Sequence, residues 1–532
     1  MVTNMNAAQS EPFLLVPPFP GASVKCLVCT GAGSASLSDV EIDRLMAEIG
    51  VLKVGGSYWG SHPDLPNEPY VLIETDYAEP VNQPIVRMSD LPAGPHDPWH
   101  LLSGATEVWA DANDDLALIA AIAGVRTKVV QYDGEWTELS AASARQLFRN
   151  RVVDGIDYVD PFVGNSISIS DAIELAAFWR RLIDSNRDIS AAVGFAFWKR
   201  PTVAPLLWNG AGEVPFGSAS PTGQGAIAVW KARTDASVLG DIHATGRPVV
   251  EVEDGFIRSV GLGSDCVPPL SLVVDRFGAH FDPTQSSELE DILQNTIFAP
   301  KQLQRACKLR ELIVASGVSK YAVGSSALER RAPNRRHILV PGQVEDDRAV
   351  TSGPLASNKE LLRRVRSAEP EAYLIYKPHP DVEAGHRVGA VPDELGLEFV
   401  DEIVRDTGIS ALIDLVDEVH VNSSLAGFEA LLRAKPVTVH GVPFYAGWGL
   451  TKDLSPVPSR RTRKLTLDEL VAAVLLEYPR YLDPVTGLPC PPEVLVRRIA
   501  QGASASRDGV VVQMRRLQGR LKKGLASLRA AR

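Results

Sequence analysis

The 532-residue sequence predicts an α/β protein in which two successive α/β lobes with a cleft between them follow a partial α/β repeat. Three observations predict this. Short apolar runs alternate with turn clusters and helix-like segments along most of the chain, as in parallel βα folds. The composition is ordinary for a globular protein, 45% hydrophobic with 38 prolines spread along it, which suffices for roughly three domain-sized units. A strand-loop-helix-strand plan also occurs twice, as ATEVWADANDDLALIAAIAGVRTKVVQYDG (105–134) and VDEVHVNSSLAGFEALLRAKPVTVHG (416–441). Tyr158-x-Asp160-Pro161-x-x-Gly164 recurs likewise as Tyr481-x-Asp483-Pro484-x-x-Gly487, so the first third reads as the back half of a shortened copy of the later module.

Residues 1–150 carry FLLV, VKCLVC, YVLIET, EVWA, the helix-like DLALIAAIAG and TKVVQYDG, a small α/β domain. TGAGSAS follows a strand there but lacks the full GxGxxG of a dinucleotide loop. Residues 151–190 read as a helical connector, with Ser170 or Asp171 as N-cap and an apolar face of Ile173, Leu175, Ala176, Phe178, Trp179 and Leu182. Residues 191–334 return to short strands (VGFAF, AIAVW, VVEVE, LSLVV) and then helices, and form the first lobe. Residues 335–500, with HILVPG, YLIYKPHP, LEFVDE, EVHVNSS and PVTVHG, form the second, and 501–532 a tail. Alternation alone suits many two-lobed α/β proteins, so function has to come from the sites.

Several classes are disfavoured. The ten-residue apolar run Leu116 to Val125 is too short to span a bilayer, and the first residues lack a basic region followed by an apolar core, so no secretory signal is expected. Five scattered cysteines (Cys26, Cys29, Cys266, Cys307, Cys490) fit a reducing compartment better than a disulfide framework. Cys26 and Cys29 make one CxxC inside an apolar run, which suits packing better than metal or redox work. No metal-ligand cluster is evident. The net charge of −11 hides an asymmetry: 507–532 holds eight basic residues against Asp508 alone, a local +7, so the remainder carries −18. Met514, Leu517, Leu521, Leu525 and Leu528 recur there at helical spacing, which suits either a basic amphipathic helix on anionic lipid or a solvated tail. An acidic body without a basic-aromatic platform disfavours nucleic acid as a partner.

Candidate chemistry collects at predicted strand ends. Val249, Val250 and Val252 form a short buried strand that delivers Glu253 and Asp254 to a loop, with Arg258 close behind. Two adjacent carboxylates at that edge are placed for acid/base work, although an Asp-Gly turn alone is common. His62-Pro63 in the first third is the only trace there of the His-Pro element described next, with no Lys-Pro before it. The loop Pro341-Gly342-Gln343-Val344-Glu345-Asp346-Asp347 offers three acids, one of which can serve as a nucleophile, although acidic surface loops are usually only solvated. In Lys377-Pro378-His379-Pro380 two prolines fix the backbone around one imidazole, which with Lys377 can meet a phosphate. Asn422-Ser423-Ser424 enters a helix whose N-terminus suits an anion, or whose Ser residues simply cap it. Glu429 in that helix reaches a ribose hydroxyl or sits at the helix surface. Phe444, Tyr445 and Trp448 suit packing more than cleft lining. In the first copy the segment Ala112-Asn113-Asp114 lacks the Ser pair, so residues 1–150 are expected to be non-catalytic, structural or acceptor-orienting.

FAFWKRPTVAPLL, EVEDGFIRSVGLG, PPLSLVVD, VPGQVEDD, YKPHP, VNSSLAGFEALL and VPFYAGWGLT, in this order over about residues 155–500, resemble the capsule polysaccharide biosynthesis family, and within it the tandem retaining β-Kdo transferases of the Gram-negative capsule lipid linker. The resemblance implies a GT-B-type fold, a CMP-β-Kdo donor, a glycolipid acceptor, retention of configuration and no metal cofactor. It also implies a peripheral place on the cytoplasmic face of the inner membrane beside other capsule assembly proteins. The Glu-Asp-Gly and His-Pro pair is similar to bacterial sialyltransferases, whose CMP-linked donor is a related 2-keto sugar acid. By similarity Asp347 is the nucleophile, with Asp346 as fallback, and Asp254 helped by Glu253 is the acid/base group. His379 and Lys377 meet the leaving phosphate with Asn422, Ser423, Ser424 and the helix N-terminus, Gln343 and Glu429 join the donor site, and Arg258 meets the donor carboxylate or a structural ion pair. One departure stands out: the family continues after Asp347 with Ala-Ser-Ile, and this chain has Arg348-Ala349-Val350.

Overall fold

The computed structural model describes residues 12–24, 27–30, 37–74, 82–130, 135–257, 266–318, 329–385 and 387–502. Cys26, Arg258 and the basic tail lie outside these residues, and of Cys29 only the backbone is described. The chain divides into two compact units, one built on the residues up to Asp188 with Leu207–Val214 and Thr486–Leu488, the other on Ile189–Leu206, Pro215–Val485 and the chain from Pro489.

The second unit holds two sheets. One has seven strands in the spatial order Phe216–Gly217, Ile189–Val193, Ala226–Val229, Val249–Asp254, Ser271–Asp275, Pro479–Leu482 and Pro489–Cys490. Its first four strands are parallel and the remaining pairings antiparallel. The other is wholly parallel, in the order Glu402–Ile403, Tyr373–Lys377, His337–Pro341, Glu418–Val421, Val437–Val439 and Lys452–Asp453. Strands covered on both faces read as unbroken apolar runs, as Ile338, Leu339 and Val340 do. Helix Asn358–Ala368 packs Leu361, Leu362 and Val365 onto Ile338, Val340, Leu374 and Tyr376. It starts at Ser357, whose hydroxyl accepts from the Glu360 amide at 3.2 Å. Residues 479–490, expected in the second lobe, pair instead into the first sheet through Ser271↔Tyr481, so the chain returns to its first lobe before residue 500. Apolar content alone could not show this, because both sheets accept the same kind of strand.

The first unit carries a five-stranded sheet, Ile85–Arg87, Tyr70–Ile73, Ala105–Asp111, Arg126–Val130 and Trp136–Glu138, the first four parallel. The helix expected as a connector, Ile169–Asp184, is part of this unit. Its N-cap is Ser168, not Ser170 or Asp171: the Ser168 hydroxyl receives the Asp171 amide while Asp171 returns a carboxylate to the Ser168 amide, a reciprocal capping box.

The repeat read from the sequence reaches atomic detail. In each copy an α-helix passes into a π-helical turn, Arg149–Val153 in one and Ala472–Glu477 in the other, and then into a short strand. Tyr158 donates its hydroxyl to the Val152 carbonyl at 2.8 Å, and Tyr481 to Leu475 at 2.9 Å. Asp160 accepts from the Phe162 amide and Asp483 from Val485, and Gly164 and Gly487 close the two turns at φ of 76° and 73°. Helix Asp39–Leu52 packs on its unit's Ala141–Phe148 and Ile169–Asp184, as Pro300–Ser316 packs on Leu467–Val471 and Pro492–Ala500. Tyr481→Phe is expected to lower stability by about 1–2 kcal/mol, because the buried Leu475 carbonyl loses its side-chain donor. Chemical denaturation followed by circular dichroism measures this.

Candidate functional site

The site begins with the strand Val249–Asp254. The expected loop for the two acids is corrected: pairing of Asp254 with Leu272 keeps both Glu253 and Asp254 inside the strand. The turn comes at Gly255, where an added Cβ would lie 2.3 Å from the Ser271 hydroxyl, so only glycine fits. Side chains alternate along the strand. Glu251 and Glu253 therefore point the same way and both receive Arg348, at 2.5 and 3.4 Å. Asp254 meets Lys199 at 3.3 Å, and Lys231 meets Glu251 at 2.5 Å.

Lys199 is 4% exposed and its ammonium lies 3.1 Å from the Trp230 ring centroid, a desolvated cation on an aromatic face. Three carboxyl groups (251, 253, 254) thus share the sheet edge with three cations (199, 231, 348). Burial, then the charges of Asp254 and Glu251, push the Glu253 carboxyl up to about 8, against the opposing pull of Lys199 and Arg348. Glu253 therefore favours its neutral form to higher pH than an ordinary carboxyl.

Arg348 belongs to the other lobe. It follows Asp347 in the turn after strand His337–Pro341, and its guanidinium also sits 5.0 Å from the Phe281 ring centroid. Asp347 is the N-cap of the short helix Arg348–Thr351, accepting from the Ala349 amide at 3.0 Å. Asp346 is exposed and paired with Arg387 at 3.2 Å. Gln343 in the same turn takes the Ser423 amide on its carbonyl oxygen at 2.9 Å and gives its NH2 to the Ser423 hydroxyl at 3.2 Å. The Ser423 hydroxyl donates to the Ala349 carbonyl at 2.8 Å. These bonds tie the acidic turn to the entrance of helix Leu425–Leu432, whose N-cap is Ser424. Asn422 is buried and gives its NH2 to the Leu355 carbonyl at 2.8 Å.

Other expected residues are placed differently. Lys377 donates to the Arg405 carbonyl, and burial pulls its ammonium below the ordinary value. His379 caps helix Pro380–Glu383 through its Nδ1 and the Asp381 amide, 3.1 Å apart. Glu429 is 7% exposed, so the surface alternative fails and it is a core carboxyl of its helix. Tyr445 and Trp448 are fully buried, with Tyr445 donating to the Ser424 carbonyl at 2.5 Å and Trp448 to Phe444 at 2.8 Å, so they pack beneath the site.

Lys199, Lys231, Arg348, Glu251 and Phe281 were not assigned from the sequence. The lysines had a signal: Trp198-Lys199 and Trp230-Lys231 are the same doublet just beyond two neighbouring strands. Among the described residues no group of three or more His, Cys, Asp or Glu is arranged to hold a metal ion.

The first unit differs at the matching sheet edge. Its helix Asp115–Ile122 is capped by Asp114 where the later copy has Ser424. Burial and the neighbouring Asp114 and Asp111 push Glu74 up to about 8. Three acids there disfavour a phosphate. His62 precedes its strand and pairs with Asp97 at 3.0 Å, whereas His379 follows one, so His62 is no remnant of the His-Pro element.

Two α/β lobes with the candidate side chains at the carboxyl edges of their sheets define a GT-B-like glycosyltransferase fold. The model of a family described as capsule polysaccharide biosynthesis protein matches residues 226–323 and 313–481. The chain is 40% identical over 351 residues to the capsule polysaccharide modification protein LipA of Neisseria meningitidis serogroup B, a match over 64% of this chain and 49% of that protein. It is 46% identical over 240 residues to the lipopolysaccharide-processing protein LpsZ of Rhizobium meliloti, over 44% of this chain and 54% of that one. The chain thus spans about half the length of the curated relatives it matches. The solved structure of Thermosulfurimonas dismutans KpsC, β-Kdo 2,4 transferase, superposes with a TM-score of 0.52 at 30% identity, covering 58% of this chain and 98% of that one. The chain belongs to the capsule polysaccharide biosynthesis family.

Proposed function

We propose that the second unit is a retaining β-Kdo-type glycosyltransferase that uses CMP-β-Kdo to extend a lipid-linked acceptor in capsule or related surface polysaccharide biosynthesis. The observation that carries this is the convergence, through Arg348, of the Asp347 turn of one lobe on the Glu253-Asp254 strand end of the other. Loss of CMP from C2 of the sugar breaks the C2–O bond to phosphate, and the pair of electrons leaves with CMP. Asp347 then bonds C2 from the opposite face. The acceptor hydroxyl displaces Asp347 while its proton passes to Asp254, so two inversions give net retention.

The protonated Glu253 keeps the strand end from becoming doubly negative as an anionic donor approaches. Gln343, Ser423, Ser424 and the helix N-terminus hold the donor phosphate, with His379 at the neighbouring strand end. Transfer of another CMP-linked ulosonic acid is the enzyme alternative, and a non-catalytic scaffold of capsule assembly the other. Calorimetric titration with CMP tests the division: saturable CMP binding with none of GMP is expected, and absence of CMP binding would favour the scaffold.

Among the described residues no helix is long and apolar enough to cross a membrane. We assign membrane contact to the basic stretch 507–532, which would hold the enzyme on the cytoplasmic face of the inner membrane, near its lipid acceptor and other capsule assembly proteins. Its deletion is expected to abolish most co-sedimentation with anionic vesicles, and unchanged binding would discard that role.

A further inference from the structure

We propose that Arg348 is a positioning residue that clasps Glu251 from the opposite lobe, holding the Asp347 turn against the strand that carries Glu253 and Asp254. The inference rests on the transferase reading for its catalytic consequence, but not for its geometry.

Three observations carry it. Arg348 spans from the turn after His337–Pro341 to the strand Val249–Asp254, meeting Glu251 at 2.5 Å and Glu253 at 3.4 Å. Glu251 is 3% exposed and the Arg348 side chain 35% exposed, so the carboxylate is desolvated and the charge-assisted contact to it is strongly oriented. The Phe281 face, 5.0 Å away, fixes the guanidinium plane from a third segment. The backbone around Arg348 is tied to the nucleophile as well: its own carbonyl takes the Ser352 hydroxyl at 2.6 Å, and the Asp347 carbonyl takes the Thr351 amide at 2.9 Å. A displacement of Arg348 therefore moves Asp347.

The clasp also acts electrostatically. The charged groups acting on Glu253 are Glu251 and Asp254 on its own strand, Lys199 from the loop after Ile189–Val193 and Arg348 from the other lobe, while Lys231 pairs with Glu251. Arg348 opposes the burial that keeps the Glu253 proton in place. Its removal should let Glu253 hold that proton to higher pH.

The test compares Arg348→Met and Arg348→Lys with the full-length wild type. In transfer from CMP-Kdo, Arg348→Met is expected to lower kcat by roughly ten- to a hundredfold with little change in donor KM. The alkaline limb of its pH profile should move up by about one pH unit, and Arg348→Lys should recover part of both. Hydrogen exchange read by mass spectrometry should show faster exchange confined to 347–352 and 249–254 in Arg348→Met. Unchanged exchange there, or wild-type kcat with an unmoved alkaline limb, would overturn the clasp. A general rise in exchange across the unit would overturn it also, marking only lost stability. Failure of the wild type to transfer from any CMP-sugar would sink the transferase reading instead, and the exchange comparison would still decide the clasp.

Discussion

Asp347→Asn is expected to reduce sugar transfer at least about a thousandfold, because in the proposed two-step displacement it removes the nucleophile. The choice of Asn matters. Asp347 is also the N-cap of Arg348–Thr351, and Asn caps a helix about as well as Asp, whereas Ala costs about 1 kcal/mol at such a position. Asp347→Asn therefore separates chemistry from folding, and Asp347→Ala combines them. Product mass and thermal midpoint, measured together on both variants, distinguish the roles. Activity retained in the Asn variant would reduce Asp347 to a cap and shift attention to Asp346, which lies exposed beside Arg387.

The second large effect belongs to the acid pair. Asp254→Asn should lower kcat by roughly 10²–10⁴-fold, the usual range for loss of a positioned general base. Glu253→Gln should behave differently, since glutamine imitates the neutral carboxylic acid that burial and the charges of Asp254 and Glu251 favour up to about 8. In the wild type, kcat/KM for the donor should fall above about pH 8 as Glu253 ionises beside Asp254, and that alkaline limb should be absent from Glu253→Gln. The sign for stability is the same. A carboxyl raised from 4.5 to about 8 in the folded protein binds more protons folded than unfolded between those values. Its contribution to stability is thus complete at low pH and lost as pH rises through that window. Thermal melts at pH 5 and pH 9 should differ less in Glu253→Gln than in wild type, and an equal difference would contradict the assignment.

The strand ends that hold Glu253, Asp347, His379 and Ser424 were legible because each follows an apolar run and ends in a turn signal, and the periodicity of such runs is local. The repeat was legible for the same reason: Tyr-x-Asp-Pro-x-x-Gly encodes its own hydrogen bonds within a few residues. What escaped was set by distant partners. The Trp-Lys doublets mark Lys199 but do not announce Asp254 as its partner, and Arg348 stands out in the sequence only as a departure after Asp347, with nothing to name Glu251 or Phe281. The return of residues 479–490 to the first sheet was hidden for a related reason, since the pairing Ser271↔Tyr481 joins segments far apart in the chain. The lysine of Lys-Pro-His-Pro illustrates the converse. Its spacing suits a phosphate, yet its ammonium is turned to the Arg405 carbonyl.

The most direct measurement of the central claim is the mass and anomeric configuration of the product formed from a Kdo-terminated lipid-mimic acceptor and CMP-Kdo made in situ, with CMP-sialic acid in parallel. A gain of one or more Kdo residues in β linkage, absent with Asp347→Asn and absent from CMP-sialic acid, is the predicted result. No gain from either donor, together with no binding of CMP, would contradict it.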